Sequence, residues 1–250
     1  MNYIKRMKSL FIGCTLTVCF GGGTRPKTEM KRFWKLYELT LKSIEKDIEL
    51  AQEDSAFAVI AAPWFPVKCY YALYYLESIL MYLIDGDPMG FRNGGHTGIR
   101  RKFCTLVNTG AITFSDTGLN HIYSLTQIRG LPAIASGQNT TRNYWQKAEC
   151  TDSIAKKLME YKLHDAGKKW NLHTKKGQEE KKQFIAAGSL MLTDLFYWYR
   201  IKANYRDLDY IDFENGISEN EVLAYITIYR DAFECYRLLL VGEIGPVLTT

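Results

Sequence analysis

The chain lacks several things that would have named a chemistry. None of its six cysteines forms a CxxC pair and its four histidines are scattered, so the ligand spacing of a zinc site is absent. Beyond the N-terminus no segment is long and apolar enough to span a bilayer. No alternating apolar–polar stretch of useful length marks a strand. There is no internal repeat, and no low-complexity tract apart from one Lys-rich connection. These absences argue against a metal centre, a membrane-spanning domain and a sheet protein, and no cofactor is expected.

What is present is a chain of 250 residues rich in Tyr (17) and Phe (12), long enough to bury a sizeable core and too aromatic for disorder. It reads as one large domain, or one domain with an insertion. A net charge of +5 suits an anionic partner but is also common in proteins that bind none. Cys69 and Cys235 fall on apolar helix faces and read as small core residues of a reducing compartment, which points to a cytoplasmic protein. The N-terminus pulls the other way. Met1 to Lys8 is basic, Leu10 to Phe20 mostly apolar, and Gly21 to Gly23 small, the order of a signal peptide. Residues 1–29 are therefore expected to be disordered or signal-like, export being the alternative location, with the working domain over residues 30–245.

Helical periodicity dominates that domain. Phe33, Tyr37, Leu41, Ile44 and Ile48 recur at steps of three and four within a helix over 29–52. Pro63 and Pro66 punctuate the chain before a second helix over 67–84, with Cys69, Leu73, Leu76, Leu80 and Leu83 on one seam. A glycine-rich loop, Gly90 to Gly95, leads into a helix over 97–107, and another is predicted over 116–128 with Ser115 or Asp116 as cap. Residues 151–166 form a shorter helix before a polar connection over 166–177. A long helix is predicted over 178–204. The last opens on the capping box Ser218-Glu219-Asn220-Glu221 and runs through Val222, Ile226, Tyr229, Phe233, Tyr236 and Leu240. The expected class is all-α, an antiparallel up-and-down helical bundle with a helical or loop insertion at about 130–180.

Three stretches together resemble the HEPN superfamily: Tyr70-Tyr71-Ala72-Leu73-Tyr74 in the second helix, His96-Thr97-Gly98 opening the third, and Arg200 to Tyr205 ending the penultimate one. The resemblance covers about Met30–Val107 and Phe184–Leu240. It implies a bundle of four to five helices that binds RNA or a nucleotide, often as a homodimer in a prokaryotic defence or toxin–antitoxin setting with a nucleotidyltransferase-type antitoxin partner. Many members are metal-independent ribonucleases, carrying an Arg, a polar residue and then a His near the end of the penultimate helix. His moves a proton near neutral pH and Arg stabilises charge on the phosphate. Here Ile201 replaces the polar residue and Tyr205 stands near the place of the His. With an ordinary pKa near ~10, Tyr is a poor proton acceptor. The resemblance thus implies weak or lost nuclease activity. The alternatives are an active ribonuclease, with His96 brought to Arg200 by folding or dimerisation, and a non-catalytic interaction module.

The candidate catalytic residues are His96, Arg200 and Tyr205. Arg200 could instead pair with Asp207 or Asp209 at a helix end. Candidate phosphate or RNA contacts are Arg92 and Asn93 in the glycine-rich loop, Arg100 and Arg101 in the helix after it, Asn204, and Lys168, Lys169 and Trp170 in the Lys-rich connection. Glycines allow close approach to a phosphate, and basic residues around an aromatic suit RNA. The competing readings are a flexible loop in which His96 buttresses a helix start, a solvated face for Arg100, Arg101 and Lys102, and a solubilising connection for the lysines. His121 reads as a packed or surface histidine. Tyr70, Tyr71, Tyr74 and Tyr75 cover several helix faces, part core and part candidate dimer surface.

Overall fold

The computed structural model describes residues 2–21, 27–86, 95–131, 147–205 and 218–249. These form an all-α helical bundle. In chain order the elements are α1 (Asn2–Phe11), β1 (Leu16–Val18), α2 (Lys27–Glu53), α3 (Ser55–Ala61), α4 (Phe65–Asp85), α5 (Gly95–Asn108), β2 (Ile112–Phe114) and α6 (Thr117–Asn120). They continue with β3 (Tyr123–Ser124), α7 (Leu125–Gly130), α8 (Lys147–Gly167), α9 (Lys175–Ala187), β4 (Ser189–Leu190), α10 (Asp194–Tyr205) and α11 (Glu219–Thr249).

Helix α4 is the hub. It is apolar nearly all round, which is the pattern of a helix enclosed by others, and α2, α5, α10 and α11 pack against it. Pro66 occupies its first turn, where a missing N–H costs nothing. Gly86 ends it in the left-handed conformation (φ +67°), its N–H donating to the Tyr82 carbonyl. Helix α11 opens on the expected box: the Ser218 hydroxyl accepts from the Glu221 N–H, and the Glu221 carboxylate accepts from the Ser218 N–H.

Four departures from the sequence reading have physical causes. The N-terminal segment, expected to be disordered or signal-like, is built into the core: Ile4, Met7, Leu10 and Phe11 are buried, and Phe11 stacks 5.0 Å from Tyr236. Lys8 pairs with Asp231 on α11 at 2.8 Å. Four short strands exist where none was expected. β1 pairs antiparallel with β2 (Thr17 opposite Thr113) and β3 with β4 (Ser124 opposite Ser189). At two or three residues each, they are too brief to show alternation.

The helix predicted over 116–128 is broken. Asp116 does cap, accepting from the Gly118 N–H, but only for one turn, and Ser124 then starts α7 with its own capping box to Gln127. The long helix predicted over 178–204 is also broken, at Gly188. There the Gly188 carbonyl accepts from the Leu125 N–H at 2.9 Å, and a Cβ would lie 2.5 Å from the Leu125 side chain. The chain restarts as α10 at Asp194, whose carboxylate accepts from the Met191 N–H. That restart places Thr193 and Asp194 against α5.

Among the described residues no single helix is long and apolar enough to cross a membrane. The pair α3 and α4 reaches that length and composition only across a 56° bend, and most of α4 is core.

Candidate phosphate-binding site

Two of the sequence-derived candidates, His96 and Arg200, come together on one platform of tyrosines. Tyr70, Tyr71 and Tyr74 project from α4 at positions i, i+1 and i+4, so they fan over one side of the helix. His96, the second residue of α5, sits among them, its ring 4.7 Å from Tyr74, 5.2 Å from Tyr71 and 5.3 Å from Tyr70. From α10 the guanidinium of Arg200 lies over Tyr70 at 5.4 Å and over Tyr71 at 5.5 Å, within cation–π range of both. Tyr197, one turn earlier on α10, closes on Tyr70 at 5.7 Å.

The polar atoms of this cluster are unusual. Tyr70 Oη, His96 Nδ1 and Arg200 Nε are buried and have no hydrogen-bond partner among the described residues. Buried polar groups are nearly always bonded, so each unpaired one calls for an explanation. These three belong to residues of three different helices, with His96 and Arg200 both packed on the Tyr70 ring. Burial lowers the His96 pKa to about 4, with the nearby Arg200 charge adding to the effect, so the imidazole is neutral at neutral pH. Burial, reinforced by Glu77, raises the pKa of Tyr70 against the pull of Arg100 and Arg200, so its hydroxyl keeps its proton and can donate. The arrangement offers a cation, a hydroxyl donor and a neutral imidazole to one ligand. That set suits a phosphate oxygen and a proton that must move.

The remaining candidates fall elsewhere. Arg100, read as part of an anion-binding surface, points into the core and is only 8% exposed. Its guanidinium donates to Glu77 at 2.7 Å, to Asp194 at 2.8 Å and to the Thr193 hydroxyl at 2.6 Å. Burial opposes its charge, but the two carboxylates outweigh that and hold the arginine firmly protonated. Arg101 is exposed on α5, and Lys102 pairs with Asp85. Lys168 and Lys169 are exposed at the corner between α8 and α9, where Trp170 packs edge-on against Phe184 at 5.2 Å. Arg92, Asn93 and the partners Asp207 and Asp209 lie outside the described residues, as do the side chains of Asn204 and Tyr205. His121 packs edge-on against Tyr123 at 4.3 Å. Among the described residues no three His, Cys, Asp or Glu side chains are grouped to hold a metal ion.

Beside the cluster runs a second feature the sequence reading missed. Lys202, two residues past Arg200, lies over Tyr161 at 5.1 Å, and Lys157 lies between Tyr161 (5.0 Å) and Tyr3 (5.8 Å). Trp198 links Tyr161 (6.3 Å) to Tyr197 (5.6 Å), and so to Tyr70. The spacing of Lys157 and Tyr161 at i, i+4 on one helix was the available signal.

No protein-family model matches this chain, and no curated protein or solved structure matches it either. The class is therefore the one the fold defines, an all-α bundle in which an arginine and a histidine pack on the same tyrosines.

Proposed function

We propose that the chain is a HEPN-like protein that binds RNA or a nucleotide through its phosphate at the Arg200–His96–Tyr70 cluster. The observation that carries this is that His96 and Arg200 both pack on Tyr70, each of the three with a buried polar atom that has no hydrogen-bond partner among the described residues. An incoming phosphate would satisfy the donors, and charge-assisted bonds to Arg200 would supply most of the attraction. Tyr161, with Lys157 and Lys202 against its ring, supports an extended anionic ligand, which would compete with Glu160 for Lys157. A homodimer, a nucleotidyltransferase-type partner and a defence or toxin–antitoxin role belong to the same proposal and rest on the HEPN resemblance alone.

A second reading, metal-independent RNA cleavage, is supported by one specific observation: His96 packs on the same two rings, Tyr70 and Tyr71, as the guanidinium of Arg200. The imidazole, though a weaker base than an ordinary histidine, would take the proton of a ribose 2′-hydroxyl as its oxygen attacks the adjacent phosphorus. Arg200 would then hold the charge gathering on the phosphoryl oxygens while the 5′-oxygen leaves and takes a proton from solvent.

Both readings are tested with fluorescently labelled single-stranded RNA, in the presence of a chelator, on the full chain and on Arg200→Ala and His96→Ala. Salt-sensitive binding lost in Arg200→Ala supports the binding reading, and absence of any salt-sensitive binding overturns it. Products ending in 2′,3′-cyclic phosphate, absent in both variants, would establish cleavage. Intact RNA throughout would leave a binding protein.

A further inference from the structure

Beneath the tyrosine platform lies a layer of buried polar groups that the proposed function does not use. Arg100 is held by Glu77, Asp194 and the Thr193 hydroxyl at 2.6–2.8 Å, and the Tyr236 hydroxyl of α11 donates to the same Glu77 oxygen at 2.8 Å. Glu77 is 2% exposed and Thr193 is 1% exposed.

The register of these residues ties them to the site. Glu77 lies seven positions after Tyr70 on α4, two turns along the same face. Arg100 lies four positions after His96 on α5, one turn along the same face. Thr193 lies seven positions before Arg200, immediately ahead of α10. Each of the three helices that delivers a site residue thus delivers, from the same face or its direct extension, one member of the network. Arg100 reaches all of them at once because its planar fork carries donors in several directions, which a lysine ammonium on a single stem cannot reproduce.

We infer that Arg100, with Glu77 and Thr193, is a positioning layer: it sets the relative height and rotation of α4, α5 and α10 so that His96, Arg200 and Tyr70 meet. The inference takes the cluster of the proposed function as the thing positioned, but its test does not require that any ligand bind. A buried ion network contributes little net stability against an apolar replacement, and its best-attested role is to fix one arrangement among several. A slip of α5 or α10 would carry His96 away from Arg200 and admit water beside the imidazole.

The experiment follows the His96 imidazole by NMR through a pH titration of the full chain, the resonance being assigned with His96→Ala. It compares the wild type, Thr193→Val, Thr193→Ser and Glu77→Gln. Thr193→Val removes the hydroxyl at constant shape, and Glu77→Gln leaves Arg100 balanced by Asp194. Ile44→Val, in the core between α2 and α4, serves as a control that trims packing without touching the network. In Thr193→Val the His96 pKa is expected to rise by about one unit, a tenfold change in proton affinity; Glu77→Gln is expected to raise it less, because losing a carboxylate charge by itself lowers it. In Thr193→Ser and Ile44→Val it is expected to stay put. An unmoved His96 pKa in folded Thr193→Val overturns the inference, and that variant decides the matter if Glu77→Gln does not fold. Labelled RNA is titrated into the same samples. Wild-type protein that binds none while the pKa still moves would sink the functional reading and keep the positioning layer. Binding with an unmoved pKa would do the reverse.

Discussion

Arg100 and Arg200 are buried to nearly the same degree, 8% and 7% exposed, yet they are solvated by the protein in opposite ways. Arg100 has two carboxylates and a hydroxyl within 2.6–2.8 Å. Arg200 faces the rings of Tyr70 and Tyr71, and its Nε has no acceptor among the described residues. A buried charge is costly unless paired. The fold meets that cost for Arg100 with fixed counter-charges, whereas for Arg200 the described residues supply aromatic faces, a weaker compensation. Among the described residues one arginine is enclosed by carboxylates and the other by rings. Burial alone therefore does not separate a charge-paired arginine from a ring-packed one, whereas the identity of its neighbours does.

The sharpest way to break this comparison is to remove each arginine and measure thermal or chemical unfolding. Arg100→Ala leaves Glu77 and Asp194 without their cation and is expected to cost about 3–5 kcal/mol. The Tyr236 that bonds Glu77 is also stacked on by Phe11. Phe11→Ala is expected to cost a further core-sized amount, ~3–5 kcal/mol, showing up as a lowered midpoint. If Phe11→Ala unfolds at the wild-type midpoint, the N-terminal helix is not part of the support.

Arg200→Ala should do the opposite of Arg100→Ala. Its loss of stability is expected to be about 0.5–2 kcal/mol, the worth of its ring contacts. Its affinity for labelled single-stranded RNA should fall about ten- to a hundredfold. Equal destabilisation by the two alanines would erase the distinction between them.

The pH dependence offers a smaller effect with a definite sign. His96 has a folded pKa of about 4, below its ordinary value near 6.5. Between those values the unfolded chain binds the proton and the folded chain does not. The His96 contribution therefore makes the fold more stable as pH rises from about 4 to 6.5, and flat above. In urea melts across that range, His96→Phe should remove this part of the slope, and an unchanged slope would place the imidazole in solvent. The least effect is expected at the α8–α9 corner. Lys168→Ala with Lys169→Ala, exposed beside a Trp170 that is occupied by Phe184, should change RNA affinity by only about twofold through long-range charge. A loss matching that of Arg200→Ala would move the binding surface to that corner.

The periodic seams of α2, α4 and α11 were legible in the chain because a helix with one buried side repeats its apolar residues every three or four positions, whatever its neighbours. So was the box at Ser218. The break at Gly188 was not, because it depends on Leu125, which is remote in sequence, closing on the glycine. Nor was the inward turn of Arg100. In the chain Arg100-Arg101-Lys102 is one basic run, and only the approach of Glu77 and Asp194 separates the buried member from the exposed ones. The role of Phe11 was hidden for the same reason, since a short amphipathic helix after basic residues reads alike whether it will meet a membrane, a translocation machinery or Tyr236.

By itself the sequence determined the helical class, the positions of the longest helices and the residue types able to hold a phosphate, since these follow from local periodicity and side-chain chemistry. Tertiary structure alone decided that Arg100 meets two carboxylates and that Arg200 faces tyrosines. The charge state of His96 was settled there too. Both depend on burial and on partners far along the chain, and electrostatics at a few ångströms is set by what folding brings near, not by what stands beside a residue in sequence.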